Sequence, residues 1–267
     1  MMDYTSRYGL EFNPFIKSTK EFLVETSEYR EVQARLNYLN QVKGFGLITG
    51  QPGMGKTTAI RNWTRSLNSA AYKVVYISMS TLTVLEFYRL LAEELGYEPA
   101  FRKQENFKII QNAINRYVVE KRITPVFILD EANYMKSATL NDLKMLFNFE
   151  MDSLNKAVVL LSGLPQLSNT LSLASQEPLA QRIISNYEMQ ALSLEEGLHY
   201  LKEKQTLAGS HMEIFARNAA EAIVNAGTGI PRMIDKIANQ ALMIGNKLNE
   251  NIISEETIMK TVEDIQI

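Results

Sequence analysis

A glycine-rich stretch with one lysine and two threonines carries the clearest chemical signal in the sequence. Its glycines, lysine and first threonine match the phosphate-binding spacing G-x-x-x-x-G-K-[ST]. Glycines let backbone N–H groups turn toward phosphate oxygens, the lysine reaches the β- and γ-phosphates, and the hydroxyl is a ligand for Mg²⁺. The stretch predicts a nucleoside-triphosphate site formed by Gly50, Gln51, Pro52, Gly53, Met54, Gly55, Lys56, Thr57 and Thr58.

A second signal is a pair of acids that follows the apolar run 125–129. In a phosphate-transfer site, Asp130 would order Mg²⁺ through its water shell together with Thr57. Glu131 would polarise the water that attacks the γ-phosphate. The alternative is a strand whose acids merely begin the next loop, which would be the better interpretation if the phosphate-binding stretch were absent.

Alternating strand and helix patterns predict the elements that position these residues. Apolar, β-branched runs at 45–49, 73–78, 125–129 and 157–162 predict strands, the second of them buried on both faces, and 187–189 predicts a short fifth. Helices are expected between them, including one over 104–122 and one over 137–151 with Ser137 as a possible N-cap. Ser162, at the end of the fourth strand, is placed to sense the γ-phosphate.

Only helical patterns follow Ser193, near 194–208, 213–226, 231–245 and 254–264. An alternating region followed by helices predicts an α/β domain and a helical lid. We expect an α/β nucleotide-binding domain with an N-terminal extension over 1–192 and a small α-helical lid domain over 193–267.

The amino-acid composition limits the classes of function that the protein can have. Of 267 residues, 46% are hydrophobic and 22% are charged, as in ordinary globular proteins. The absence of cysteine excludes disulfides, thiolate metal sites and cysteine nucleophiles, and the two histidines have no metal-ligand spacing. The N-terminus lacks an apolar signal core, and no apolar run is long enough to span a bilayer. These features favour a cytoplasmic protein without a membrane partner.

The formal net charge of −2 gives no global attraction to nucleic acid, but residues 61–122 hold ten basic and six acidic residues. Two interpretations stay open, a surface that tracks a DNA backbone and a solvated helix face, and charge alone favours the second. The candidate DNA-binding residues are Arg102, Lys103, Lys108, Arg116, Lys121 and Arg122.

Several further motifs occur in order along the chain: Asn13-Pro-Phe15, the Asp-Glu-Ala-Asn run from 130, Leu-Ser-Gly-Leu-Pro-Gln-Leu from 161, Pro-Leu-Ala-Gln-Arg-Ile from 178 and Gly-Ile-Pro-Arg-Met-Ile-Asp from 229. With the phosphate-binding stretch, this set resembles the AAA+ ATPases of the general secretion pathway protein A type. It equally resembles the transposition-regulator ATPases of the MuB, TniB and TnsC kind.

The resemblance implies a P-loop NTPase of the AAA+ class, with a five-stranded parallel sheet followed by a helical lid. It implies ATP and Mg²⁺ as cofactors and subunits that assemble as rings or helical filaments. By position, Arg182 matches the arginine that reaches a neighbour's γ-phosphate, and Arg232 matches the lid arginine that touches the nucleotide of its own subunit. Arginine suits both roles because its fork donates to two oxygens and keeps its charge.

The two branches of this resemblance imply different partners. Secretion-type members carry a membrane span and a cell-wall-binding region after the ATPase, and neither follows the lid here, so we expect the transposition branch. That branch implies an ATPase that binds duplex DNA as an ATP-dependent oligomer and presents it to a transposase. The alternative is an ATPase subunit of a secretion or envelope assembly that acts on protein partners. A nucleotide switch with little turnover is a third possibility, against which Glu131 argues.

Overall fold

The structure is a computed structural model that describes residues 4–17, 23–79 and 81–265. Its contacts divide the chain into two compact units. One comprises Met1–Arg30, Gly53–Gly55 and Gln190–Ile267, and the other comprises Glu31–Pro52 and Lys56–Met189. We call them the helical unit and the sheet unit.

Twelve α-helices lie in the described ranges. In chain order they are α1 Tyr4–Arg7, α2 Ser27–Val42, α3 Lys56–Ser66, α4 Val84–Glu94, α5 Lys103–Asn115, α6 Ser137–Leu146, α7 Gln166–Leu171, α8 Glu177–Ala180, α9 Leu194–Leu207, α10 Arg217–Ala226, α11 Pro231–Leu248 and α12 Glu255–Ile265. A π-helical turn, Arg116–Glu120, extends α5, and short 3₁₀ turns occur at Ala132–Tyr134, Glu150–Asp152 and Ala174–Gln176. No helix in these ranges combines the length and apolar character needed to cross a bilayer.

The sheet unit is built on five strands, all paired in parallel in the order β2-β3-β4-β1-β5. The strands are β1 Gly44–Thr49, β2 Tyr72–Ile77, β3 Thr124–Leu129, β4 Val158–Gly163 and β5 Ile183–Glu188. Every residue of β1 and β4 is buried, as expected of continuous apolar runs in a parallel sheet. The predicted five-stranded parallel sheet is confirmed.

The outer strand β2 differs from its prediction. It lies at an edge of the sheet, and Tyr76 near its end is 46% exposed, so the prediction of a strand buried on both faces is wrong. A short β-branched run fits a central strand and an edge strand equally well, because both present a pleated, partly buried surface. The order of strands in the sheet decides between them, and that order is a non-local property.

Two predicted helices also differ from the structure. The helix expected over 137–151 ends at Leu146, and Ser137 is its first residue, with Lys136 at the N-cap position. The chain then passes through left-handed backbone at Glu150 and Met151, with φ near 50°. The helix expected over 104–122 is α helical only to Asn115 and continues as the π turn. Helix ends depend on such local geometry, which apolar spacing does not encode.

The helical unit packs α9–α12 around a core that includes residues of the N-terminal segment, among them Tyr8, Leu10 and Phe15. Asn13 donates to the side chain of Asn239 in α11 over 2.7 Å. The sequence pattern places this segment in the α/β domain over 1–192, whereas these contacts join it to the helices of the helical unit. In the structure, the boundary between the sheet unit and the helical unit falls after Met189, three residues before the predicted domain boundary at 192–193.

A buried ion pair fixes the first half of α11 within the helical unit. The Lys204 ammonium donates to both carboxylate oxygens of Asp235, at 2.6 and 2.7 Å, and the Tyr200 hydroxyl bonds the same carboxylate. Burial raises the pKa of Asp235 and lowers the pKa of Lys204, in each case against the attraction between the two charges. Asp235 lies one turn after Arg232, so the pair holds the turn that carries this arginine.

Candidate functional site

The phosphate-binding stretch forms the connection between β1 and α3, as its strand-to-helix context predicts. The Gly50 N–H donates to the carbonyl of Gly163 at the end of β4, over 3.3 Å. Gly53 and Gly55 adopt φ of 90° and 98°, backbone that residues with a Cβ atom rarely enter. Glycine at these two positions therefore allows the tight turn that ends at the first residue of α3.

Lys56 begins α3 and turns its side chain back into the loop. Its side chain is buried, and its ammonium donates to the carbonyl oxygens of Gly50 at 2.7 Å and Gln51 at 3.1 Å. These bonds compensate the burial of the charge. They also place the ammonium against the backbone that would surround a phosphate, as the spacing predicts.

The structure brings together two motifs that are 73 residues apart in the chain. The Thr57 hydroxyl donates to Oδ2 of Asp130 over 3.0 Å, and the Glu131 N–H donates to Oδ1 of the same carboxylate over 3.0 Å. Asp130 is only 3% exposed. A buried carboxylate beside a threonine hydroxyl supplies the hard oxygen ligands that Mg²⁺ accepts when substrate phosphates complete its shell.

These two residues fit a nucleotide-bound Mg²⁺ rather than a metal held by protein alone. Within the described ranges, no group of three or more histidine, aspartate or glutamate side chains could hold an ion. Magnesium usually keeps several waters and binds through one or two protein groups plus phosphate oxygens. The donor set of Thr57 and Asp130 matches that pattern.

Tyr76 is a third residue at this carboxylate, and the sequence did not single it out. Its hydroxyl donates to Oδ2 of Asp130 over 2.9 Å, the oxygen that also accepts from Thr57. Burial, and then the negative charge of Asp130, raise the pKa of Tyr76 to about 12, so the phenol keeps its proton at neutral pH. A tyrosine in a β-branched run looks like a core residue, which is why its role is not visible from the pattern.

Glu131 follows in a left-handed conformation, with φ of 53°, and its side chain is exposed. Two residues later, Oδ1 of Asn133 accepts the N–H of Leu164 over 3.0 Å. A Cβ atom on Gly163 would lie 2.6 Å from this oxygen, so glycine allows the close approach. The Asp-Glu-Ala-Asn run is thereby attached to the end of β4.

Ser162 lies at this end of β4, one residue before Gly163, and pairs in register with Ile48 of β1. Its side chain is fully buried, and its hydroxyl has no hydrogen-bond partner among the residues that the structure describes. Its place between the ends of β3 and β1 agrees with the position predicted from the sequence. A role in sensing the γ-phosphate stays a prediction.

Arg232 contacts the loop through its backbone within the helical unit. Its N–H donates to the carbonyl of Gly53 over 3.3 Å, and a Cβ atom on Gly53 would lie 2.6 Å from the Arg232 Cβ. Residues in the first turn of a helix have N–H groups without a partner inside the helix, and the Gly53 carbonyl accepts one of them. The Arg232 side chain is exposed, and its contact with nucleotide stays a prediction.

Arg182 has contacts inside its own sheet unit. Its guanidinium donates to the carbonyl of Lys144 over 2.7 Å and lies 6.0 Å from the ring centroid of Phe45, and burial lowers its pKa. Phe45, near the start of β1, pairs with Ile183 at the start of β5, so Arg182 lies at the end of the strands opposite to the end from which the phosphate-binding loop of the same chain leaves. The predicted role of Arg182 toward a neighbouring subunit is not tested by these contacts and stays a prediction.

The six basic candidates for DNA binding lie on α5, the π turn and the residues beside them, and all are exposed. They are not equivalent. Lys103 forms an ion pair with the buried Asp142 and lies 5.6 Å from the ring centroid of Tyr88, which links α5 to α6 and α4.

The charged groups of the other candidates form weaker contacts, or no ion pair with any described residue. Arg116 pairs with Glu120 over 3.2 Å on an exposed face, and Lys121 lies 4.6 Å from the ring centroid of Tyr117. Among the described residues, no ion pair involves Arg102, Lys108 or Arg122. These three are the candidates whose charge is most available to a polyanion.

Three comparisons with known proteins show what this chain resembles. A family model described as an AAA domain matches residues 39–171, which include the loop, the acid pair and Ser162. General secretion pathway protein A of Aeromonas hydrophila is 29% identical over 245 residues, which are 90% of this chain and 44% of that protein. The chain therefore spans less than half of this relative.

Two further similarities extend the comparison. The ATP-dependent target DNA activator B of Escherichia phage Mu is 28% identical over 123 residues, 46% of this chain and 37% of that protein. Among solved structures, Cdc6p from Pyrobaculum aerophilum superimposes with a TM-score of 0.68 at 14% identity, over 94% of this chain and 70% of that one. At this identity the likeness concerns the fold alone.

The close approach of Gly53 to Arg232 predicts the outcome of a paired substitution. Gly53→Ala should destabilise the protein more than Gly96→Ala, because both glycines have positive φ (90° and 86°) but only Gly53 has atoms where the Cβ would be placed. The conformational cost is about 1 kcal/mol at both sites, and crowding should add about 1–3 kcal/mol at Gly53. Urea unfolding of both variants and the wild type measures the difference. Equal losses would show that the Gly53–Arg232 approach does not constrain the loop.

Proposed function

Because the chain carries an AAA domain within an AAA+ fold, it belongs to the AAA+ ATPases, and we propose that it hydrolyses Mg·ATP and couples hydrolysis to the binding of duplex DNA. In this proposal, ATP-bound subunits assemble as a ring or helical filament on DNA and present it to a transposase. The single observation that carries the nucleotide part is the contact of 3.0 Å between Thr57 and Asp130, beside the buried Lys56.

Each side chain of this site has a separate task in the proposed reaction. The Lys56 ammonium exchanges loop carbonyls for the β- and γ-phosphate oxygens of ATP, and the loop N–H groups bind the phosphates. Thr57 and Asp130 would hold Mg²⁺, which when bound neutralises charge that develops on the phosphates. ATP rather than GTP is proposed from the resemblance.

Glu131 is the proposed base that orients and polarises the attacking water. Its backbone N–H is fixed to Asp130 and its side chain is exposed beyond the end of β3. A carboxylate in this place can accept a proton from water aligned with the γ-phosphate. Ser162 is the proposed sensor of the γ-phosphate. The roles of Arg232 toward nucleotide and of Arg182 toward the nucleotide of a neighbouring subunit are proposed from the resemblance. A protein that only switches between nucleotide states has no need of the acid at 131.

We expect Glu131→Gln to bind Mg·ATP within about threefold of the wild-type affinity while lowering the rate of hydrolysis about 10²- to 10⁴-fold, the usual contribution of general-base catalysis. The amide keeps the shape of the side chain but accepts no proton at neutral pH. Glu221→Gln, which removes one carboxylate from a partly exposed i,i+4 pair in α10, is the matched control and should keep wild-type turnover. For both variants, release of inorganic phosphate measures the rate of hydrolysis, and titration with nucleotide measures the affinity. A wild-type rate of hydrolysis in Glu131→Gln would show that Glu131 is not the base that polarises the attacking water.

The DNA part of the proposal is supported by exposed positive charge and by one relative. Arg102, Lys108 and Arg122 are exposed in the stretch 61–122, where basic residues outnumber acidic ones. The phage Mu relative is named as a target DNA activator. With a net charge of −2, a single subunit would bind DNA weakly. An assembly adds the phosphate contacts of its subunits, so binding should require the ATP-bound oligomer.

The double variant Lys108→Gln/Arg122→Gln should weaken ATP-dependent binding to duplex DNA and lower the salt dependence by about 2 in slope per subunit, since each lost phosphate contact removes about 0.9. Lys202→Gln/Lys260→Gln removes two exposed lysines from α9 and α12 and is the matched control. Fluorescence anisotropy with a labelled duplex, titrated at several salt concentrations with an ATP analogue, measures the slope. An unchanged salt-dependence slope would show that Lys108 and Arg122 do not contact DNA phosphates. No binding by the wild type at low salt would contradict the DNA function.

A second candidate function is an ATPase subunit of a secretion or envelope assembly that acts on protein partners. The observation that favours it is the extent of similarity, since the secretion relative aligns with 90% of the chain and the phage relative with 46%. The effect of duplex DNA on the rate of ATP hydrolysis distinguishes the two candidate functions. Duplex DNA should raise turnover in the first case and have no effect in the second. A cytoplasmic location is expected in both cases.

A further inference from the structure

The edge strand β2 brings one tyrosine to the buried carboxylate of the nucleotide site. Tyr76 is 46% exposed, so packing alone does not account for its place, yet its hydroxyl reaches Oδ2 of Asp130 at 2.9 Å. The strand pairing explains the reach, since β2 is the direct neighbour of β3 and the Asp130 N–H donates to the carbonyl of Ile77. The sheet thus aligns the ends of β2 and β3 at this site.

Two hydroxyl groups meet on one oxygen of Asp130. Thr57 approaches Oδ2 from the start of α3, and Tyr76 approaches it from β2, while Oδ1 accepts the N–H of Glu131. Donors on both oxygens resist rotation of the carboxylate about its terminal torsion, which is otherwise broad and soft. Hydrogen bonds to ionised groups are also the stronger ones. The orientation of Asp130 therefore depends on Tyr76 as well as on Thr57.

We propose that Tyr76 is a positioning residue that sets the orientation of Asp130 for Mg²⁺. It acts through the carboxylate and does not itself contact the metal or the phosphates. Groups that orient a metal-binding side chain commonly change metal affinity 10- to 100-fold when they are removed. This inference rests on the proposed function, because it assumes that the site takes Mg²⁺ together with a nucleotide.

The same strand offers a matched control. Tyr72, at the start of β2, has a hydroxyl that accepts a hydrogen bond from the side chain of Asn40 over 3.0 Å, at the opposite end of the strand from Asp130. Tyr72→Phe and Tyr76→Phe each remove one oxygen atom and one hydrogen bond from β2. Only the second removes a bond to Asp130. Tyr76→Leu removes the donor together with the ring and tests whether the hydroxyl is the group that matters.

The experiment measures binding of a fluorescent, non-hydrolysable ATP analogue to the intact protein, first in EDTA and then over a series of Mg²⁺ concentrations. For Tyr76→Phe and Tyr76→Leu we expect the Mg²⁺ concentration at half-maximal tightening to rise about tenfold. Affinity in EDTA should stay within about twofold of the wild type, because Lys56 and the loop are unchanged. Tyr72→Phe should match the wild type under both conditions.

The outcomes separate this inference from the proposed function. A wild-type Mg²⁺ midpoint in Tyr76→Phe, with nucleotide binding intact, would overturn the inference alone. Equal weakening in EDTA and in Mg²⁺ would also overturn it, because the residue would then be structural. Absence of nucleotide binding by the wild-type protein would overturn the proposed function and this inference with it.

Discussion

One hydrogen bond, from the Thr57 hydroxyl to the Asp130 carboxylate, is the contact on which the proposed nucleotide site depends. The two residues follow β1 and β3, which are not neighbours, because β4 lies between them. The parallel register aligns all three strands, with Thr49 opposite Gly163 and Leu129 opposite Leu161. Only then does the first turn of α3 reach the acid, so the sheet order is a requirement of the site.

The site also satisfies a demanding electrostatic condition, since it buries charges of opposite sign. Lys56 and Asp130 are 7% and 3% exposed. A buried charge is tolerated only when hydrogen bonds replace its lost hydration. Two loop carbonyls do so for the ammonium, and two hydroxyls and one N–H do so for the carboxylate. The bonds that the loop carbonyls make to Lys56 are those that phosphate oxygens would replace.

The parallel sheet and the residues of the candidate site could be predicted from the sequence because both leave short local patterns, while the binding of a nucleotide there stays a proposal. Spacing identifies Lys56 and Thr57, and continuous apolar runs identify the strands. The contacts of Tyr76 and Lys103 could not be predicted in this way, because their partners Asp130 and Asp142 are distant in sequence. The packing of the N-terminal segment with the helical unit is hidden for the same reason, since the core around Phe15 forms from residues near the far end of the chain.

The most direct test of the central claim is isothermal titration calorimetry of a non-hydrolysable ATP analogue with Mg²⁺ into the wild-type protein and into Lys56→Ala. The proposed site requires one nucleotide per chain for the wild type and the loss of that binding when the ammonium is removed. No heat of binding with the wild type, or the same affinity in Lys56→Ala, would contradict a triphosphate site built on Lys56, Thr57 and Asp130.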